Sequence, residues 1–314
     1  MLNCCPALVR LEEADLHTTE LSSDQTSAVL QRIAVSQDIK LVKLSIWSND
    51  MATVPSDTLS RAAEKLEDLS LFITNLTTDQ INGLLARIVE SGQLKLKSLD
   101  ICDNDLSSVS TQVLVDAISR LEGINLYNTK LTQDQLEGIT KTVAECEVLK
   151  LNNIDLRYNN LSSLAPDILS LSAVRLKRIS LEESQMTLDQ SVALLTRISD
   201  SPDENLNLKQ LEMGKNDLSQ VPRDLIAQSI LRLEDVSLKE SQLTAEQIKS
   251  IFLAISDSKE LRLSSIDLRE ADLSSVPEDV LLRVKSRVTW LYLTEESPES
   301  HRIIYRKARH GQEV

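Results

Sequence analysis

The sequence predicts an α/β solenoid, with a parallel β-sheet on the concave face and helices on the convex face, wound from short units that each supply one strand and one helix. Three observations predict it. The segments LKSLDICDNDLSSV from Leu96, LNNIDLRYNNLSSL from Leu151, LKQLEMGKNDLSQV from Leu208 and LSSIDLREADLSSV from Leu263 are copies of one block. The first half of each copy alternates apolar and polar residues as a strand does. The half that follows in the intervening units opens with a Ser or Thr three residues before a Gln, the pattern of a helix N-terminus.

The period is close to constant. With Leu41 added, the starts of this first unit, termed A, fall at residues 41, 96, 151, 208 and 263, separated by 55, 55, 57 and 55 residues. A second unit, B, begins 25 residues after the first four of these, at Leu66, Leu121, Leu176 and Leu233. Another B copy opens at Leu11 and a truncated one at Val288, which makes eleven units ending near residue 293. A units have 25 residues and B units 30 or 32. The expected organisation is therefore a solenoid over residues 1–293 and a distinct basic segment over 294–314 that either caps the open end as a helix or forms a flexible tail.

Within a unit, positions 3 to 7 are expected to alternate, sending residues 4 and 6 inward and 3, 5 and 7 outward. The helical half follows. In B units the capping pairs are Ser22 with Gln25, Thr77 with Gln80, Thr132 with Gln135, Thr187 with Gln190 and Thr244 with Gln247. A units carry proline near the helix start instead, at Pro55, Pro166, Pro222 and Pro277, and their shorter length predicts a shorter helix. Strand and helix alternating in one sense make a right-handed horseshoe.

Both units place apolar residues at positions 1, 4, 6 and 11, and A units add Asn at position 9, as Asn49, Asn104, Asn159 and Asn216. This pattern, L-x-x-L-x-L-x-x-N-x-L, resembles the leucine-rich repeat. Stacked Asn side chains can satisfy backbone groups where the chain leaves the strand, and Thr19, Thr74, Thr129, Ser184 and Ser241 hold that place in B units. The alternation of two units resembles the ribonuclease-inhibitor-like class, which includes the sensor ends of nucleotide-binding innate-immune receptors. That resemblance implies a partner bound on the concave face. Ribonuclease inhibitor is acidic like this chain but cysteine-rich, with repeats of more equal length, so four cysteines and a 25/30 alternation make this a different member.

Composition narrows the function. Only 3% of the 314 residues are aromatic and only six are glycine, so no phosphate-cradling loop is written here; Gly214-Lys215 lacks both the upstream glycine and the following Ser or Thr. A formal charge of −14 disfavours nucleic acid and anionic membranes and favours basic partners. Cys4, Cys5, Cys102 and Cys146 show no framework spacing and read as free thiols of a reducing compartment. The start of the chain lacks the pattern of a signal peptide and no 18-residue apolar run occurs, which predicts a soluble cytoplasmic protein. The glycosylation-type triplets at Asn75 and Asn160 then read as chance matches.

The surface signal lies at positions 2, 3, 5, 7 and 8, which should face the concave side. Of eight aromatic residues, six fall there: Trp47, Phe72, Tyr127, Tyr158, Trp290 and Tyr292. Position 7 reads His17, Trp47, Phe72, Cys102 and Tyr127, an apolar ridge about 20 Å long at the usual strand spacing, and then turns mostly charged. The five concave positions carry 18 acids against 9 bases, including Asp100, Asp155, Glu212 and Asp267 at position 5 of successive A units. Exposed aromatic rows supply interface anchors, and charge of one sign orients a basic ligand.

Catalysis finds little support. His17 and Cys102 share a column but sit three strands apart, about 14 Å, and His301 and His310 lie in the tail. No His/Cys cluster has zinc spacing, and adjacent Glu182 and Glu183 should point to different sides of a strand. No cofactor or metal is expected. The reading is a non-enzymatic scaffold that binds a protein or peptide on its concave acidic and aromatic face. An enzyme regulator, or a sensor module belonging to a longer innate-immune-type receptor, remains the alternative.

Overall fold

A computed structural model of the chain describes residues 10–17, 19 and 21–294, and the backbone of 303–306. The chain divides into two compact halves, Met1–Asn159 and Asn160–Val314. In the N-terminal half, strands β1 (Glu13–Asp15), β2 (Lys43–Ser45), β3 (Asp68–Ser70), β4 (Ser98–Asp100), β5 (Gly123–Asn125) and β6 (Asn153–Asp155) pair in parallel, each with the next. Between them run helices α1 (Ser23–Val35), α2 (Ser56–Ala63), α3 (Thr78–Glu90), α4 (Thr111–Ile118) and α5 (Gln133–Glu145). The C-terminal half holds helices α6 (Pro166–Arg175), α7 (Leu188–Asp200), α8 (Arg223–Ile230), α9 (Ala245–Asp257) and α10 (Glu278–Arg287). Its strands β7 (Arg178–Ser180), β8 (Gln210–Glu212), β9 (Asp235–Ser237), β10 (Ser265–Asp267) and β11 (Trp290–Leu293) are again parallel neighbours. Each half is a strand-helix solenoid in the register that the repeat predicts.

The two repeat lengths become two helix lengths. B helices α1, α3, α5, α7 and α9 all have 13 residues, each capped by the predicted Ser or Thr and reciprocated by its Gln. A helices have 8 or 10 residues and no side-chain cap. Proline stands in there, with Pro166 as the first residue of α6 and Pro55, Pro222 and Pro277 immediately before α2, α8 and α10.

The strand is shorter than the alternation suggests. It covers positions 3 to 5 only, except in β11, because position 8 adopts a left-handed backbone conformation in every unit where it is described: Ser48, Ile73, Asp103, Asn128, Tyr158, Glu183, Lys215, Glu240 and Glu270. B units add a second such residue at position 10, Asn75, Lys130, Gln185 and Gln242. None is glycine. The path therefore bends away from the sheet by steric force, at about 1–2 kcal/mol for each L-residue.

Buried amides answer this strain. In the N-terminal half the Asn104 Nδ2 donates to the carbonyls of Leu71 (2.9 Å) and Ile101 (3.1 Å), while its Oδ1 accepts from the Leu76 N–H at 3.1 Å. Asn49, Asn159 and Asn216 repeat the pattern, each tying an A unit to the B unit before it. The capping glutamines tie B units to the A unit before them. Gln80 donates to Met51 and Val54 carbonyls at 2.6 Å each, and Gln135, Gln190 and Gln247 do the same one repeat further on. All eight amides are at most 4% exposed. A third link uses the last residue of the A unit as a C-cap for the preceding B helix: Lys65 reaches the Ser36 carbonyl, Arg120 those of Val89 and Ser91, Arg232 those of Ile198 and Ser199, and Arg287 those of Ser256 and Ser258.

Between sheet and helices the core is aliphatic. Positions 4, 6 and 11 are filled by residues such as Leu99, Ile101 and Leu106, all fully buried, and Phe252 is the one aromatic ring among the described core residues. The C-terminal basic segment is described only in part. Its described part is a strand, β12 (Ile303–Arg306), antiparallel to β11. Cys4, Cys5, His301 and His310 lie outside the described residues.

Asn104→Ala should lower stability by about 2–3 kcal/mol, because the Leu76 N–H is left buried without a partner; a urea midpoint close to wild type would contradict this. The last A unit carries Ala271 where the others carry Asn, beside a small hollow lined by Leu238, Leu243 and Ala271. Ala271→Asn should restore the missing link and raise the melting temperature, by about 1 kcal/mol of stability.

Candidate functional site

Short strands place position 3 and 5 side chains on the sheet face, and the left-handed turn brings position 7 and 8 side chains to its rim. In the N-terminal half this rim carries rings that are half-exposed rather than core. His17 lies flat on Trp47, with centroids 4.7 Å apart and planes 2° from parallel, and Trp47 stacks on Phe72 at 5.6 Å. Tyr127 and Tyr158 form a second, tilted pair at 4.8 Å, with the Arg157 guanidinium 5.3 Å from the Tyr127 ring centre.

The ridge read from the sequence is thus interrupted. Cys102, between Phe72 and Tyr127, is only 5% exposed, and burial together with Asp100 and Asp103 pushes its thiol far above the usual range. It remains a neutral, small floor residue. Sequence reasoning missed Ile73, which follows Phe72, is 43% exposed and adopts φ of 50°. A β-branched residue in that conformation is an outlier, and nothing in its residue type signals the turn.

The four acids of position 5 have different surroundings. Asp155 grips Arg157 with both carboxylate oxygens, Nε at 2.9 Å and Nη2 at 2.6 Å from Oδ2. Asp267 holds Arg269 the same way, with Nη2 at 2.5 Å, and Glu212 takes Arg178 Nη2 at 2.5 Å. Their charge is matched inside the chain, so the acidic row does not present itself as a continuous bare stripe. Asp100 differs: it accepts from the Cys102 N–H at 3.1 Å and the Ser70 hydroxyl at 3.3 Å and has no cationic partner among the described residues.

On the C-terminal half, Glu212, Asp267 and Tyr292 line one hollow of about 340 Å³, together with Arg178 and Asp235. Trp290 stacks on Tyr292 at 6.4 Å. Glu182 and Glu183 do not point to opposite sides. Lys215 reaches both, at 3.6 and 3.0 Å, because position 8 has left the strand, and Lys239 adds a contact to nearly buried Glu182 at 3.0 Å. Gly214 is needed at this point: a Cβ there would stand 2.8 Å from the Lys239 carbonyl oxygen.

No group of three metal-binding side chains occurs among the described residues, and none of the described helices is long and apolar enough to cross a membrane. Cys102 is a free thiol.

Known structures resemble this arrangement of strands and helices. The leucine-rich repeat-containing protein LegL7 of Legionella pneumophila aligns over 88% of this chain and 90% of its own, with a TM-score of 0.53 and 18% identity. The fold is that of leucine-rich-repeat proteins. An internalin of Listeria monocytogenes aligns over 92% of this leucine-rich-repeat chain and 75% of its own, with a TM-score of 0.50 and 15% identity. No family model and no curated protein matches the sequence.

Asp68, on β3 beside Asp100, is half-buried, and burial raises its carboxyl above the ordinary value, with Asp100 and Glu13 adding to the rise and Lys43 opposing it. A carboxyl raised in the folded state costs stability once pH exceeds its unfolded value, and costs nothing when both states are protonated. Asp68→Asn should therefore raise the melting temperature at pH 7 and leave it unchanged at pH 3. A shift of equal size at both pH values would refute the assignment.

Proposed function

We propose that this leucine-rich-repeat chain is a non-enzymatic scaffold that captures a protein or peptide on the sheet face of its N-terminal half. One observation carries the reading: the core is aliphatic, yet Trp47 and Phe72, stacked, and Tyr127 and Tyr158, tilted against each other, are kept half-exposed on that face. Rings used for packing would sit inward, as Phe252 does. Stacked rings offer large, stiff contact area at low entropic cost, the property of interface anchors. Ile73, 43% exposed beside them, adds apolar surface to the same face.

Trp290 and Tyr292, with Glu212 and Asp267, supply a second and more polar surface on the C-terminal half. Asp155 contributes only indirectly, by setting Arg157 over Tyr127 on the N-terminal face. Four cysteines without framework spacing, Cys102 a free thiol among them, support a reducing, cytoplasmic location, and the net charge of −14 supports a basic partner.

The triple variant Trp47→Ala, Phe72→Ala, Tyr127→Ala should lose ligand capture, each ring contributing about 2 kcal/mol or roughly 30-fold in affinity. Its circular dichroism should stay that of wild type, because half-exposed rings leave no core cavity. Undiminished capture by the triple variant would sink the proposal.

A further inference from the structure

Building on that binding reading, we infer that the N-terminal face takes the guanidinium of a partner's arginine, in a notch floored by Cys102, walled by Phe72 and Tyr127 and closed by the Asp100 carboxylate. The chain itself displays the chemistry. In Asp155 and Asp267, Oδ1 accepts the N–H of the residue two positions on, at 3.0 and 3.2 Å, which fixes the carboxylate, and Oδ2 then receives an arginine Nη2. Asp100 is held in the same pose by the Cys102 N–H at 3.1 Å. Its carboxylate meets the neutral Ser70 hydroxyl, 3.3 Å from Oδ2, and the Cys102 thiol, and no cation, because position 7 carries cysteine where the other two units carry arginine.

Every other acid at position 5 is matched within the chain: Asp15 with His17, Asp155 with Arg157, Glu212 with Arg178 and Asp267 with Arg269. Asp100 alone is prepared for a guanidinium and lacks one. The walls suit the same group. Phe72 and Tyr127 occupy position 7 of the units on either side of Cys102, just past their strands and about 10 Å apart at the usual strand spacing, which admits a flat cation between two rings. Tyr127 already carries one guanidinium, that of Arg157, at 5.3 Å. Arginine is planar, always charged and stacks on rings while bonding a carboxylate through its fork, whereas lysine presents a point charge. Nearby Asp68 and Asp103 deepen the negative potential, and Asp103 is itself bonded to the Asn128 amide at 2.6 Å.

The full chain is probed with an array of acetylated peptides, randomised at the flanking positions, whose central residue is arginine, lysine or citrulline. Arginine peptides should be retained about ten-fold or more above citrulline peptides, with lysine between. Asp100→Asn, which keeps the shape of the side chain, should reduce arginine peptides to the citrulline level. Cys102→Arg, which fills the notch from within as Arg157 does at Asp155, should do the same. Equal retention of arginine and citrulline peptides, or an undiminished arginine preference in Asp100→Asn, overturns the assignment. If retention is indifferent to arginine yet falls in Trp47→Ala, the arginine assignment fails while the scaffold reading stands. If Trp47→Ala changes nothing as well, both fail.

Discussion

At eight junctions a single buried amide holds one repeat to its neighbour, the unit with Ala271 being the exception, and the remaining architecture depends on these joints. A strand three residues long offers too few ladder bonds to set the stacking of one unit on the next, and the left-handed turn after it strips further backbone groups of regular partners. Asn104 meets three such groups at once, and Gln80 serves a helix N-terminus with its oxygen and two carbonyls of the previous unit with its nitrogen. Because each amide lies under 5% exposed, an unmet bond there would carry the full desolvation penalty. The two residue types alternate along the chain as the two unit lengths do, so the alternation of A and B is an alternation in the chemistry of the joint as well as in helix length.

With stacking secured by amides and leucines, the sheet face is released from structural duty. Its side chains touch neighbours across strands but fill no space between sheet and helices. The two halves use this freedom differently. The N-terminal face gathers stacked rings beside an unmatched carboxylate, whereas the C-terminal face is laced by ion pairs from Arg178, Lys215, Lys239 and Arg269. The more exposed of these pairs, such as Arg178 with Glu212, contribute about 0–1 kcal/mol each, whereas Glu182 and Asp267 are largely buried and depend on their cations.

The sequence makes the architecture legible because period, capping pairs and Asn positions are all written in residue identity. Thr77 with Gln80 predicts the start of α3 and the structure places it there. Other features are written in geometry and leave no trace in composition. The turn at position 8 is occupied by Ser48, Ile73, Tyr158 and Glu183 alike, so no residue preference announces it, and the alternation runs two residues beyond the actual strand. That error carried over to Glu182 and Glu183, placed on opposite sides by alternation but joined by Lys215. The location of the aromatic residues on one face followed from register alone. Which rings touch, and which acids already hold a cation, depended on side-chain reach across strands, something no spacing rule supplies.

The nine left-handed residues at position 8 explain the scarcity of glycine in a different light. A chain that turns this sharply in every unit has an obvious use for glycine, which adopts the conformation without steric cost. This one forgoes it and accepts the strain. Glycine would leave each turn more relaxed but blank, while an L-residue projects a side chain at the edge of the face in every unit. Such a rim can be rewritten one residue at a time, with the buried layers unaware of the change.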